Sequence, residues 1–398
     1  MPKVEAYLDS TITSFSRAGD LNNLTFLAHA ERVTYIGFRL GKQLRLGQTE
    51  LNELILSTLL HDIGIMTDAE QLLLADLEPR PNRTSAHCRN GYRLLRSTTT
   101  FGPFARNVLE HHDYYSPEIR VIPAIIHVAD RVDILLDRKR YALWQVEDLL
   151  RYFKSKAGSI FSPEVVDALH SVASIPSFWL DLEYGKYRFV DEEYDFRRVL
   201  TLDELEEIAE LMATIVDHKS PFTAAHSQGV AKVAAFLATQ LNMPEHRVRL
   251  VKTAGLLHDI GKLSIPDEIL MFPGSLSRDQ RAVMKQHTYH SYHLISGIGP
   301  GAKRLAGWAA FHHERLDGSG YPFGLKAPDL EPEARLMAVA DITQSLLESR
   351  PYRDGLSTAK VTQILHHSVK SGHLDADLTD VAVAHVDQIK EFIGQAEK

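Results

Sequence analysis

A six-residue string, Leu-Leu-His-Asp-Ile-Gly, occurs twice in this chain, around His61 and again around His258, 197 residues later. His29 and His226 lie the same distance apart, and each stands among apolar residues at helical spacing. An internal repeat on this scale indicates two related domains, each with its own core. We therefore predict an all-α chain made of two tandem helical domains.

Other potential metal ligands repeat together with this string. In chain order, the matched residues are His87 with His287, His111-His112 with His312-His313, and Asp130 with Asp341. A lone buried histidine usually satisfies its ring through a backbone carbonyl. A repeated set of imidazoles and carboxylates from separate segments instead predicts a metal site, because a metal needs several converging donors.

Length and composition limit the remaining choices. At 398 residues the chain has room for two domains of about 200 residues, which we place at 1–195 and 196–398. A net charge of −8 argues against a broad grip on a nucleic-acid polymer. No apolar run approaches the ~20 residues needed to cross a bilayer. Cys88 is the only cysteine, which excludes an intrachain disulfide; we interpret it as inert and expect a cytoplasmic protein.

Two longer strings in the second copy indicate a family. The His-Asp pair continues to Lys262 as His-Asp-Ile-Gly-Lys, and the double histidine leads to Tyr321 in His-His-Glu-Arg-Leu-Asp-Gly-Ser-Gly-Tyr-Pro. Together with a Val-Ala-Asp string ending at Asp341 and an Arg-Pro-Tyr-Arg string starting at Arg350, they closely resemble the HD-GYP domain. This domain is a helical phosphodiesterase class of the HD superfamily, and the resemblance covers about residues 205–390.

The resemblance implies a bimetallic centre, usually of iron or manganese, that hydrolyses cyclic di-GMP or 3′3′-cyclic GMP-AMP to a linear dinucleotide or mononucleotides. Two cations ~3.5–4 Å apart can hold a bridging hydroxide as the nucleophile and neutralise charge on the phosphate. The implied ligands are His226, His258, Asp259, His287, His312, His313 and Asp341. Asp259 would bridge the metals. Some family members bind a third metal through an additional glutamate, but Phe222 occupies that position, so we expect two divalent ions.

The resemblance also implies a catalytic role for Asp259 and Lys262 and substrate contacts from Lys262, Tyr321, Arg350 and Arg353. A planar guanidinium binds phosphate oxygens in a fork or stacks on a base, whereas lysine acts as a point charge. This mixture suits a compact dianionic dinucleotide. One departure from the family is Ile342-Thr343-Gln344-Ser345, where the family often has Phe-Asp-Ala-Leu; it alters either the nucleotide preference or the metal tuning.

The first domain resembles the wider HD superfamily and carries a second candidate set of metal ligands. These are His29, His61, Asp62, His87, His111, His112 and Asp130. However, Ile65 replaces the lysine, and only 18 residues separate His112 from Asp130, against 28 between His313 and Asp341. The residues missing from this shorter spacing are those of the Gly-Tyr-Pro loop.

Basic residues Arg138, Lys139 and Arg140 follow Asp130, so the first domain keeps positive charge near its predicted site. We favour a regulatory or structural role for it, with a nucleotide sensor or a second active phosphohydrolase as alternatives. For the whole chain, the leading hypothesis is a cyclic dinucleotide phosphodiesterase of bacterial second-messenger signalling. The alternatives are a metal-containing nucleotide-binding module without turnover and a nucleotidase; a homodimer or a regulatory protein partner stays open.

Overall fold

The structure is a computed structural model that describes residues 5–20, 28–65, 67–70, 81–186, 198–219, 226–349 and 354–396. Regular secondary structure in these ranges is helical, with two isolated β-bridges, Tyr7 with Val199 and Ala157 with Phe161. The all-α prediction is confirmed. No helix in these ranges combines the length and the apolar composition that a bilayer-spanning segment requires.

The chain forms two compact units. The first unit is residues 23–198, and the second unit combines residues 199–398 with residues 1–22. The boundary predicted near residue 195 falls within residues 187–197, which lie outside the described residues, and it stays a prediction.

Helices are numbered in chain order, and α1 (Leu8–Asp20) belongs to the second unit. The described helices of the first unit are α2 (His29–Gln43), α3 (Gln48–Leu60), α4 (Pro81–Leu95), α5 (Ala105–Glu110), α6 (Val121–Leu135), α7 (Val146–Lys156), α8 (Pro163–Ala173) and α9 (Pro176–Glu183), with 3-10 turns at Gly102–Phe104 and Ala142–Trp144. At the centre, α2 packs against α3, α6 and α8. Val33, Ile36 and Leu40 recur at helical spacing and are fully buried, so this face of α2 forms the core.

The second unit repeats this plan. Its described helices after α1 are α10 (Leu202–Lys219), α11 (His226–Gln240), α12 (Glu245–Leu257), α13 (Asp267–Leu270), α14 (Arg278–Met284), α15 (Gln286–Ser296), α16 (Ala302–Ala310), α17 (Pro332–Leu347), α18 (Thr358–Lys370), α19 (Ala376–Ala384) and α20 (Val386–Ala396), with 3-10 turns at Ile260–Ser264, Phe311–His313 and Ala327–Asp329. Here α11 is central, packing against α10, α12 and α17. Because α2 and α11 begin at the corresponding residues His29 and His226, each central helix carries the first candidate ligand.

Helix α1 packs on α15 and on the 3-10 turn at Ile260–Ser264. Its apolar residues at helical spacing, among them Leu8, Ile12 and Phe15, are buried. Ser14 Oγ also donates a hydrogen bond to the carbonyl of Leu294 at 2.5 Å. Sequence proximity groups α1 with the first domain, but the apolar face of this helix is buried in the second unit. An amphipathic pattern alone does not identify the partner of a helix.

Candidate metal centres

The repeated string ends one helix in each unit and starts a tight turn. His61 directly follows α3 and His258 directly follows α12, and both side chains are completely buried. The glycine that closes the string lets this turn approach the helix of the third histidine. An added Cβ at Gly261 would lie 1.9 Å from the carbonyl oxygen of His287. The same contact at Gly64 would be 2.0 Å, so any side chain would push the turn away from that helix in either unit.

Asp259 lies at the centre of the cluster in the second unit, and its two carboxylate oxygens face different histidines. Oδ2 lies 3.2 Å from Nε2 of His258 and 3.7 Å from Nε2 of His226. Oδ1 lies 3.3 Å from Nε2 of His287 and 4.0 Å from Nε2 of His312. A carboxylate placed in this way can offer one oxygen to each of two cations.

The donors of the second unit therefore form two neighbouring groups. One group is His226, His258 and Asp259, and the other is His287, His312 and His313; within each, the potential ligand atoms lie within 4.8 Å of one another. Asp341 supplies a further carboxylate, with Oδ1 lying 3.4 Å from Nε2 of His226. All seven residues named from the sequence thus converge, although their role as ligands stays a prediction.

Three of the imidazoles are oriented by backbone carbonyls on the side of the ring that faces away from the cluster. Nδ1 of His258, His287 and His312 each donates to the carbonyl three residues earlier, at 2.7, 2.7 and 2.8 Å respectively. This fixes the tautomer and leaves Nε2 as the atom with a lone pair facing the cluster. Nε2 of His258 and of His287 is buried without a hydrogen-bond partner. Orphaned buried nitrogens of this kind suit metal coordination.

Burial and neighbouring charges set the protonation of the cluster. Burial lowers the pKa of His287 to about 3, so this imidazole is neutral near pH 7 and ready to coordinate. Although burial opposes ionisation of Asp259, the neighbouring His258 and Lys262 side chains hold the pKa of its carboxyl well below the usual range. Burial also disfavours the charged form of His226, but the nearby carboxylates of Asp341 and Glu348 outweigh it and raise the pKa of His226 to about 10.

His226 is oriented by a side chain instead of the backbone. Its Nδ1 donates to Oε1 of Gln344 at 2.7 Å. In the first unit, His29 Nδ1 makes the same bond to Oδ2 of Asp133 at 2.7 Å. Asp133 and Gln344 are separated by the same offset as Asp130 and Asp341, so the repeat indicates that they occupy corresponding positions but does not identify the histidines they contact. The departure from the family pattern at Gln344 thus lies directly behind a candidate ligand.

The predicted substrate residues Lys262 and Tyr321 lie beside the cluster. Nζ of Lys262 is 2.5 Å from Oδ2 of Asp259, within the 3-10 turn. The Tyr321 ring packs on His313, with the ring centroids 4.9 Å apart, and Lys285 Nζ lies 4.9 Å from the Tyr321 centroid. The buried Glu314 accepts hydrogen bonds from two backbone N–H groups of the Gly-Tyr-Pro loop and so holds it in place. Arg350, Arg353 and Phe222 lie outside the described residues.

The first unit reproduces the central geometry around Asp62. Its Oδ2 lies 3.3 Å from Nε2 of His61 and 3.7 Å from Nε2 of His29. Its Oδ1 lies 3.4 Å from Nε2 of His87 and 3.8 Å from Nε2 of His111. The same division of two carboxylate oxygens between two pairs of histidines therefore occurs in both units.

Two further donors complete the candidate set of the first unit, and one of them differs from its counterpart in the second unit. His112 lies with His87 and His111, and Cys88, interpreted as inert, is close enough to these donors that its thiol is a further potential ligand. Oδ1 of Asp130 lies 3.3 Å from Nε2 of His29. Its Oδ2 accepts hydrogen bonds from the buried Arg131 at 2.8 and 3.0 Å. The residue matching Arg131 in the second unit is Ile342, so this position holds a guanidinium in the first unit and an aliphatic side chain in the second.

Both units thus hold buried clusters of His and Asp that could bind metal ions. Imidazole and carboxylate donors together suit divalent iron, manganese or zinc. The orphaned nitrogens and the shared central carboxylate are arrangements that a bound cation would satisfy. The residues present therefore fit the metal centre that the sequence predicts.

Comparison with known proteins agrees with this division. An HD-domain family model matches residues 26–135, and a second HD-domain model matches residues 210–378. The chain is 30% identical over 393 residues to 3′3′-cGAMP-specific phosphodiesterase 1 of Vibrio cholerae, covering 94% of this chain and 90% of the relative. It is 25% identical to 3′3′-cGAMP-specific phosphodiesterase 3 of the same organism, covering 91% of each chain.

Partial and structural matches extend this set. The cyclic di-GMP phosphodiesterase response regulator RpfG of Xanthomonas campestris is 34% identical over 205 residues, which is 50% of this chain and 54% of that protein. The fold is similar to the crystal structure of a V. cholerae cyclic GMP-AMP-specific phosphodiesterase, V-cGAP3, with a TM-score of 0.64 and 21% identity, covering 97% of this chain and 98% of that chain.

Helical units with clustered His and Asp define a protein of the HD-domain class. The chain belongs to the HD-domain phosphodiesterase family, as the Gly-Tyr-Pro and His-Asp strings predicted.

Proposed function

We propose that the second unit hydrolyses a cyclic dinucleotide at a pair of divalent ions, iron or manganese. The observation that carries this proposal is the position of Asp259, whose two oxygens face separate groups of histidines. A two-metal centre of this kind is a general device for cleaving phosphodiesters. The proposed ligands are His226, His258, Asp259, His287, His312, His313 and Asp341.

The remaining roles belong to residues around the proposed ligands. Bound metal ions supply Lewis-acid stabilisation of negative charge and activate water at neutral pH. Lys262 keeps its ammonium group beside Asp259, where it can pair with a phosphate oxygen of the substrate. Tyr321 contributes an aromatic ring beside His313. Arg350 and Arg353 stay proposed contacts to the phosphates or bases.

The substrate we propose first is 3′3′-cyclic GMP-AMP. Two relatives that match more than nine-tenths of this chain bear that specificity in their names. Cyclic di-GMP is the second candidate, since RpfG, whose match covers 50% of this chain, is named for it. The two compounds differ in one base, so discrimination has to come from contacts to the bases.

A product assay tests the proposal. Purified full-length protein is loaded with Fe²⁺ or Mn²⁺ under reducing conditions and incubated with each cyclic dinucleotide, and products are separated by chromatography. We expect linear dinucleotide or mononucleotides, formed faster from 3′3′-cyclic GMP-AMP. Tight binding without product would instead support a signalling module without turnover, and cleavage of mononucleotides alone would support a nucleotidase.

For the first unit we propose metal binding with a regulatory role. Its ligand set has the same geometry, but Ile65 stands where the second unit has Lys262, and Arg131 occupies one oxygen of Asp130. A second active phosphohydrolase would need another cation to bind the substrate phosphate. The first unit therefore retains the means to bind metal and lacks a principal substrate contact of the second unit.

Gln344→Ala is expected to weaken metal binding by the second unit about 10- to 100-fold, the usual effect of removing the group that orients a ligating histidine. The reason is the 2.7 Å bond that holds the Nδ1–H tautomer of His226. Gln344→Glu keeps an acceptor and serves as the matched control. Metal titration of the two variants makes the comparison, and equal affinities for both would contradict the assignment.

Metal binding to the second unit is expected to release about one proton from His226, because its pKa of about 10 keeps the imidazole charged at pH 7 to 8. Affinity should rise about tenfold per pH unit through this range. Calorimetric titration in buffers of different ionisation enthalpy counts the protons. His226→Ala should remove this release, and a proton count unchanged by the substitution would contradict the prediction.

A further inference from the structure

The first unit contains a cavity of about 590 Å³ that lies apart from the cluster of histidines. It is formed by the turn that follows α6 and by the end of α9. Its volume is within the range of pockets that bind small molecules, roughly 300–1,000 Å³. Basic and aromatic side chains of the segment 138–144 line it, and their arrangement indicates a ligand.

The backbone of this segment is held by one side chain. Gln145 is buried, and its Nε2 donates to the carbonyls of Asp137, Arg140 and Tyr141 at 3.0, 3.0 and 3.3 Å. Its Oε1 accepts from the N–H of Asp137 at 3.0 Å. Glu183 accepts from the N–H of Ala142 at 2.7 Å. A loop whose backbone is fixed at this many points needs no further backbone ordering when a ligand binds, which favours binding.

The cations of the pocket fall into two pairs. Arg32 and Arg138 both bind the carboxylate of Asp133, which in turn accepts from His29. Lys139 and Arg140 are exposed, and within the described residues neither side chain has an ion-pair partner.

The acidic residues that line the pocket, Asp137 and Glu183, are engaged by backbone N–H groups: Asp137 Oδ1 accepts from Lys139 at 2.9 Å, and Glu183 accepts from Ala142. The ammonium of Lys139 and the guanidinium of Arg140 are therefore available to an anion.

Two aromatic rings stand beside these cations. Tyr141 and Trp144 are 56% and 69% exposed, and their rings meet edge to face with centroids 4.9 Å apart. An exposed tryptophan at the rim of a cavity leaves a flat apolar face uncovered, which is characteristic of binding surfaces. Nucleobases stack on such rings, while phosphates pair with neighbouring cations.

We propose that this pocket binds a nucleotide, with its phosphate on Lys139 and Arg140 and its base against Trp144. The proposal extends the regulatory role proposed for the first unit and does not depend on hydrolysis by the second. Asp133 links the pocket to the candidate metal centre, because it contacts both Arg138 and His29. Binding in the pocket can thus affect the candidate ligand His29 through two hydrogen bonds, from Arg138 to Asp133 and from His29 to Asp133.

The chain offers a selective optical readout. Trp179 and Trp308 are 0% and 3% exposed, so Trp144 is the one of the three tryptophans that a water-soluble quencher reaches. Full-length protein in chelator, which removes metal-dependent binding, is titrated with GMP, AMP, 3′3′-cyclic GMP-AMP and inorganic phosphate while acrylamide quenching is measured. At least one of the nucleotides should protect Trp144 and bind at least about 10-fold more tightly than phosphate.

Lys139→Glu combined with Arg140→Glu should weaken nucleotide binding by at least about 10-fold in equilibrium dialysis. Arg106→Glu, which reverses one positive charge at an exposed position of α5, is the control and should bind nucleotide as the original protein does. Trp144→Phe should remove the quenching signal while nucleotide is still bound. No protection by any nucleotide, equal affinity for phosphate, or equal weakening by the control would each overturn the proposal. Hydrolysis assayed on the same variants tests the second unit separately.

Discussion

Asp259→Ala is expected to lower kcat/KM for cyclic dinucleotide hydrolysis by about 10³-fold or more. The side chain touches both groups of histidines through different oxygens, so its removal takes one donor from each of the two proposed metal positions. A loss of about 4 kcal/mol of transition-state stabilisation corresponds to this factor. Steady-state kinetics and metal content of the same preparation provide the measurement, and both should fall together.

Alanine substitutions of two other aspartates serve as controls for this result. Asp203 is an exposed carboxylate of α10, 85% accessible, and Asp203→Ala should leave both rate and metal content unchanged. Asp62 has the same geometry as Asp259 but lies in the first unit. Asp62→Ala should lower metal content while hydrolysis continues. A loss of rate as large as that of Asp259→Ala would show the first unit to be catalytic, and an active Asp259→Ala enzyme would exclude the proposed centre.

The placement of several candidate ligands was predictable because local backbone geometry orients their rings. His258 follows the end of α12 and is oriented by a carbonyl three residues earlier, as His61 is after α3. Such contacts depend only on neighbours in the chain, so identical strings produce identical placement. The helical class followed for the same reason, since apolar spacing along α2 and α11 defines their buried faces.

Contacts between segments distant in the sequence could not be predicted in the same way. Gln344 meets His226 across 118 positions, and α1 packs against α15 although about two thirds of the chain separates them in sequence. Neither contact can be predicted from the neighbouring sequence, because many polar side chains could accept the hydrogen bond of His226 and many apolar surfaces could cover α1. The basic segment after Asp130 was visible in sequence, but the cavity and the exposed Trp144 beside it arise only from packing.

Gly261→Ala is expected to destabilise the second unit by about 3 kcal/mol or more, lowering its Tm by about 6–12 °C. The new Cβ would lie 1.9 Å from the carbonyl oxygen of His287 and 2.7 Å from the N–H nitrogen of Ser291, and both are backbone atoms that cannot rotate away. The turn would also lose its bond from Gly261 N–H to Ser291 Oγ, now 2.9 Å. His258 and His287 would separate, so metal content should fall with stability.

Paired glycine variants separate this close contact from a general effect of alanine. Gly274→Ala, whose Cβ would meet only the exposed side-chain ring of Phe272 at 3.0 Å, should leave the Tm and metal content nearly unchanged. Gly64→Ala should destabilise the first unit instead, because its Cβ would lie 2.0 Å from the carbonyl of His87, while hydrolysis by the second unit persists. Calorimetry with metal analysis resolves the three cases. If Gly261→Ala kept its stability and its metal, the His-Asp turn would not lie against α15 as described.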